Sequence, residues 1–181
     1  DKISWARFTT IAWAGDGSGF FYARSPEPRT NGRQDSQISD HDVYFHRLGT
    51  KQSEDRLVRN STPENPLLHT VDVTADGRYL IIYSTALSGG NALSVVDLSE
   101  PNWAVRPVVE RLDHLSTVVG NIGTKLYVLT RQGAEWGKVV TVDLADKDLV
   151  FTALIEEKPK VLLTLASIVG DRLLLSYMVD A

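Results

Sequence analysis

Apolar positions along this chain come in short runs, and they do not follow the three-and-four spacing of an amphipathic helix. Runs rich in Val, Ile, Leu, Tyr and Phe alternate with clusters of Gly, Asp, Asn and Ser, the pattern of short strands joined by tight turns. β-branched and aromatic side chains fit a pleated, half-buried surface. No long segment combines helical periodicity with good caps, so an all-β chain is predicted.

The runs recur as hairpins. Trp13–Tyr22, Val73–Tyr83, Val119–Leu129 and Ile168–Tyr177 each read as strand, tight turn with Gly or Asp, and second strand. A short hairpin turn needs positive φ, which Gly and Asp-Gly supply at little cost. A further apolar run follows each of the first three hairpins, at Val43–Gly49, Leu93–Leu98 and Val139–Leu144. A short fourth strand then falls near Leu57–Val58, Val105–Val109 and Val150–Ile155.

The repeating unit is therefore four strands. Tyr79 and Leu126 are 47 residues apart, as are Leu126 and Leu173, while Phe20 and Tyr79 are 59 apart because of an insertion at Ser25–His41. A four-stranded repeat of roughly 40–50 residues is the mark of a β-propeller blade. Blades are expected at about residues 5–60, 66–111 and 114–157, with a half blade at 161–181. Three and a half blades leave an unpaired edge at each end. The chain is thus expected either to start inside a longer propeller or to close by self-association.

Composition narrows the partners. The formal net charge is -4 and there is no basic run, which argues against nucleic acid and anionic membrane surfaces. Cysteine is absent, which excludes disulfides and thiolate metal sites. No apolar stretch approaches the ~18 residues of a membrane span. A soluble protein is expected, with cytoplasm and periplasm both open. The opening Asp1-Lys2-Ile3-Ser4-Trp5 lacks a signal-peptide pattern and a Met, as expected of a segment within a longer chain.

Candidate chemistry is sparse. Ser18 comes nearest to a nucleophile elbow, but Asp16 and Phe20 stand where G-x-S-x-G needs glycines. The spacing of the four His residues singles out no base. Gly15–Gly19 is glycine-rich, yet it opens no helix and cannot cradle phosphate in the usual way. His41 and His46 are an odd number apart on an extended run, so Asp40, His41, Asp42 and His46 do not share a face for a metal. His69 and His114 read as surface or core-edge residues. Trp13 reads as packing between blades, whereas Trp103 and Trp136 lie in or beside loops. Catalytic residues, metal ligands and cofactors are not expected in this chain.

Two stretches resemble the propeller of the prolyl oligopeptidase family. One is Phe8–Tyr22 and the other is Val43–Val58, where Tyr-x-His-x-Leu-Gly-Thr-x-Gln-Ser-Glu-Asp is carried by Tyr44–Asp55. Ala75-Asp76-Gly77-Arg78-Tyr79-Leu80 continues the match, which is sharp over about the first hundred residues. The resemblance implies a seven-bladed propeller covering an α/β-hydrolase domain that holds a Ser-His-Asp triad and cleaves short peptides after proline. This chain would be about half of that propeller, with the peptidase domain of the same polypeptide as its partner and short peptides passing it. Some family members place an Arg after the second blade's hairpin to reach substrate. Tyr83–Leu87 has none, so no substrate contact is carried over.

The polar insertion, with two prolines and a glycine, is read as a mobile loop that is either a gate on access in the parent enzyme or a solvated hairpin tip. Its candidate residues are Ser25, Pro26, Glu27, Pro28, Arg29, Asn31, Arg33, Asp35 and His41. The alternative is a stand-alone interaction module.

Overall fold

The structure, a computed structural model, describes residues 1–26, 41–61, 67–86 and 89–179. Among the described residues fourteen strands follow one another: β1 (Ala12–Trp13), β2 (Gly19–Arg24), β3 (Asp42–Arg47), β4 (Arg56–Arg59), β5 (Leu68–Val73), β6 (Tyr79–Thr85), β7 (Asn91–Asp97), β8 (Arg106–Val109), β9 (Ser116–Ile122), β10 (Lys125–Thr130), β11 (Lys138–Asp143), β12 (Thr152–Ile155), β13 (Val161–Val169) and β14 (Arg172–Val179). Among the described residues the one helical element is a short 3-10 turn at Gln52–Glu54.

The strands form sheets in chain order: β1-β2-β3-β4, β5-β6-β7-β8, β9-β10-β11-β12 and the pair β13-β14. Three four-stranded up-and-down sheets and a hairpin are what the repeat predicts. The first turn of each sheet is built as expected, with Gly17, Gly77, Gly123 and Gly170 all at positive φ. The third and fourth strands of each complete sheet share an irregular register, at Val43/Tyr44, Leu93/Ser94 and Val139/Val140. Such a bulge turns the outermost strand away from the flat sheet.

The chain divides into two compact units. The first comprises Asp1–Ser88 and Ala92–Glu110, the second Gly89–Asn91 and Arg111–Ala181. In the first unit, Ala12, Phe21, Ala23 and Val43 of one sheet meet Val71, Leu80, Ile82 and Val96 of the next. β2 and β6 are buried along nearly their whole length, which explains their continuous apolar runs. Fully burying each such side chain contributes roughly 1.5–3 kcal/mol, so this interface is the main source of the unit's stability.

Backbone contacts tighten the first unit. The Thr10 hydroxyl donates to the Val71 carbonyl and accepts from the Val71 amide, at 2.6 and 2.8 Å. The hairpin turns also touch. A Cβ at Gly15 would lie 2.9 Å from the Gly77 Cα, so only glycine fits there.

In the second unit, Leu126, Val128, Val139, Val140 and Val142 are buried. The Asn91 amide brackets Ser116, accepting from its N–H and donating to its carbonyl, each at 2.9 Å. Leu163 N–H donates to the Trp136 carbonyl at 2.8 Å, and the Trp136 N–H is taken by Glu157 at 3.0 Å.

Candidate functional site

Ser25–His41 joins β2 to β3 at one end of the first unit. Its candidate residues Glu27, Pro28, Arg29, Asn31, Arg33 and Asp35 lie outside the described residues. Ser25, Pro26 and His41 are described and form the two feet of the connection. Ser25 N–H donates to the Trp5 carbonyl at 3.2 Å. Beside it, the Arg24 guanidinium lies 4.4 Å from the centre of the Tyr44 ring.

The second foot is fixed by Asp42. Its carboxylate accepts from Ser61 N–H at 2.8 Å, from the Ser61 hydroxyl at 3.3 Å and from the Tyr44 hydroxyl at 3.3 Å. His41 itself is fully buried, an anchor at the foot and not an exposed part of the connection. Its ring turns toward the His69 backbone, yet neither nitrogen makes an aligned hydrogen bond. His69 is buried as well, contrary to the expectation of a surface or core-edge residue. It follows the inward alternation of Val71 and Val73 along β5, a signal the sequence carries. Burial lowers the pKa of both imidazoles. His69 falls to about 3, with the nearby Arg59 and His41 as further causes.

The Tyr44–Asp55 motif proves to be a buried network on the other face of β3. Asp55 accepts the Tyr22 hydroxyl at 2.6 Å on one oxygen, and its other oxygen pairs with His46 Nδ1 at 2.7 Å. Gln52 reaches Tyr22 at 3.2 Å and exchanges two hydrogen bonds with the backbone of Ser4, at 2.9 and 3.0 Å. His46 Nε2 lies 3.3 Å from Asp1 Oδ2 without the alignment of a hydrogen bond. Burial and the Asp55 hydrogen bond hold the Tyr22 hydroxyl protonated well above its usual range. Through Gln52, and through the Gly49 N–H that donates to Asp1 at 2.8 Å, this network straps residues 1–5 onto the first sheet.

The remaining candidates are dispersed. His41 and His46 take opposite faces of β3, as their spacing predicts. Among the described residues no three His, Asp or Glu side chains gather as metal ligands. Asp16 accepts from Ser18 N–H at 2.9 Å, so the Gly15–Gly19 turn spends that donor internally. The turn instead borders a cleft of about 530 Å³ lined by Phe21, Phe45, Gly77, Arg78 and Trp103, which the sequence reading missed. Trp103 is held at φ 50°, stacked under Arg56 at 3.9 Å and edge-on to Phe45. Trp13 is 56% exposed and meets Phe20 edge-on at 5.4 Å.

Comparison with known proteins decides what this scaffold is. The family model described as prolyl oligopeptidase, N-terminal beta-propeller domain, matches residues 1–181. This chain belongs to that propeller family. Prolyl oligopeptidase A of Amanita bisporigera is 34% identical over 98% of the chain, and the match spans 25% of that protein. Prolyl endopeptidase of Elizabethkingia meningoseptica is 33% identical over 71% of the chain and 18% of its own length. Among solved structures, prolyl oligopeptidase B from Galerina marginata, bound to a 35mer hydrolysis and macrocyclization substrate, superposes with a TM-score of 0.86. That likeness is at 27% identity and covers 97% of this chain and 25% of that one. The prolyl oligopeptidase propeller segment described here thus spans about a quarter of the length of the relatives it matches. No described helix is long and apolar enough to cross a membrane.

Proposed function

We propose that this propeller segment covers the active site of a prolyl oligopeptidase-like serine peptidase domain on the same polypeptide and restricts entry to short proline-containing peptides. The observation that carries the reading is the family match along the whole chain, together with a coverage of only a quarter of the relatives. The anchored feet of the β2–β3 connection support a gating role for it. A segment that controls entry works best on a rigid base, and Asp42, Ser61, Tyr44 and the buried His41 supply one. The blades act as a wall, and covalent chemistry belongs to the peptidase domain.

The test is to replace residues 27–40 with a short Gly-Ser turn in the full-length protein. Turnover of a short and a long proline-containing peptide is then compared. Gating predicts that the variant gains kcat/KM on the long peptide relative to the short one. Unchanged values for both peptides reject a gating role for the connection.

A further inference from the structure

At the end of the first unit where β1 turns into β2 and β5 into β6, the two sheets part around the cleft of about 530 Å³. A volume of this size falls in the range of small-ligand sites. Its walls are apolar and aromatic. Phe21 is fully buried, while Phe45, Leu98 and Trp103 pack against the core and stay partly open. The three rings lie 4.9–5.5 Å apart, tilted or edge-on to one another. Trp103 takes the left-handed region at φ 50°, a conformation that bulky residues rarely adopt.

The rim is acidic. Asp16 and Asp76, from the two Asp-Gly turns, both border the cleft. Asp16 accepts the Ser18 N–H at 2.9 Å, which holds its carboxyl below the usual carboxylate range and keeps it charged. Asp76 accepts the Thr74 hydroxyl and the Arg78 N–H, at 2.7 and 3.1 Å. Arg78 is the basic side chain of the lining, and its charge is already engaged. Its Nε and Nη2 both donate to Asp97 Oδ2, at 3.2 and 2.9 Å. Among the described residues no cation forms an ion pair with Asp16. The strand ends that flank residues 27–40, 62–66 and 87–88 are the opposite ones, where Arg24 pairs with Asp42, Val43 with Arg59 and Leu68 with Thr85.

Aromatic walls under an acidic rim suit a cation carried on an apolar stem. A guanidinium meets both halves, since it stacks on rings and donates in a fork to carboxylates. The wall already uses this chemistry: Arg56, which does not line the cleft, stacks on Trp103 at 3.9 Å.

We propose that this cleft binds an arginine side chain of a partner peptide, with its stem along Phe45 and Trp103 and its guanidinium at Asp16 and Asp76. The site lies at the far end of the strands from the β2–β3 connection, so it requires nothing of the gating role.

The test is saturation-transfer NMR on the full-length protein, with the peptide Ac-Gly-Arg-Gly-NH2 and its uncharged citrulline counterpart. Neither contains proline, so neither is a substrate of the proposed activity. The expected result is saturable binding of the arginine peptide, with the citrulline peptide about tenfold weaker. Asp16→Asn combined with Asp76→Asn keeps the turn acceptors and removes the charge, and Asn-Gly forms the same kind of turn. The double variant is expected to weaken the arginine peptide by a similar factor. Butylguanidinium carries the group without a peptide and is expected to bind more weakly than the arginine peptide. Equal binding would assign the cleft to a small cation and overturn the peptide reading. No saturable binding, equal binding of the two peptides, or binding unaltered in the double variant each overturns the proposal.

Discussion

The Thr10 hydroxyl makes two hydrogen bonds to a single residue, Val71, one to its amide and one to its carbonyl. One side chain thereby does for β5 what a neighbouring strand would do, satisfying both backbone groups of a buried position. Asn91 treats Ser116 the same way in the second unit.

Thr10→Val keeps the shape and removes both bonds, leaving the Val71 groups unsatisfied. The expected loss is ~1–3 kcal/mol. Urea unfolding checks it, and hydrogen exchange at the Val71 amide is expected to accelerate. Stability within a few tenths of a kcal/mol of the parent would show that the bracket contributes nothing.

The hairpin turns permit a paired comparison. Gly17 and Gly77 both sit at positive φ, but a Cβ at Gly17 meets open space and one at Gly77 lies 3.0 Å from the Gly15 Cα. Gly17→Ala carries the conformational strain alone, roughly 1–2 kcal/mol. Gly77→Ala adds a backbone clash and is expected to be clearly the worse of the two. Equal midpoints in urea would mean that the two turns do not touch.

Asp55 is the hub of the buried strap. Asp55→Ala leaves the Tyr22 hydroxyl and His46 Nδ1 enclosed without their acceptor. A cost of about 3 kcal/mol is expected, the usual scale for removing one member of a buried pair. Limited proteolysis should then cut within residues 1–5 more readily. Unchanged cleavage would show that the network does not hold that segment.

Stability is expected to fall on mild acidification. The folded protein holds His69 neutral down to about pH 3, whereas the unfolded chain takes up a proton near 6.5. Between those values the unfolded state binds more protons, so each pH unit below 6.5 costs up to ~1.4 kcal/mol. His41 is shifted in the same direction and adds to the effect. Urea midpoints measured from pH 7 to pH 5 should decline, with a shallower slope in His69→Gln. A slope that His69→Gln leaves unaltered would place the acid sensitivity elsewhere.

The sheets were legible because their signals are local. Short β-branched and aromatic runs and Gly at the turns each act within a few residues of one another, and Asp16-Gly17 and Asp76-Gly77 are found where they were expected. The brackets were not legible. Thr10 and Val71 are far apart in sequence, and a threonine before a strand has no distinguishing pattern. The motif Tyr44–Asp55 was recognised as a resemblance, but its physical reason, a carboxylate shared by Tyr22 and His46, required coordinates. His69 was misread because a polar residue at a strand start looks exposed, although its register with Val71 and Val73 already placed it inward.

The central claim is that these blades are one part of a larger peptidase, and the intact denatured mass of the polypeptide that carries them tests it most directly. The account predicts a mass several times the 20.0 kDa of this chain. A mass near 20.0 kDa would contradict it and leave a propeller segment that acts without a peptidase domain of its own.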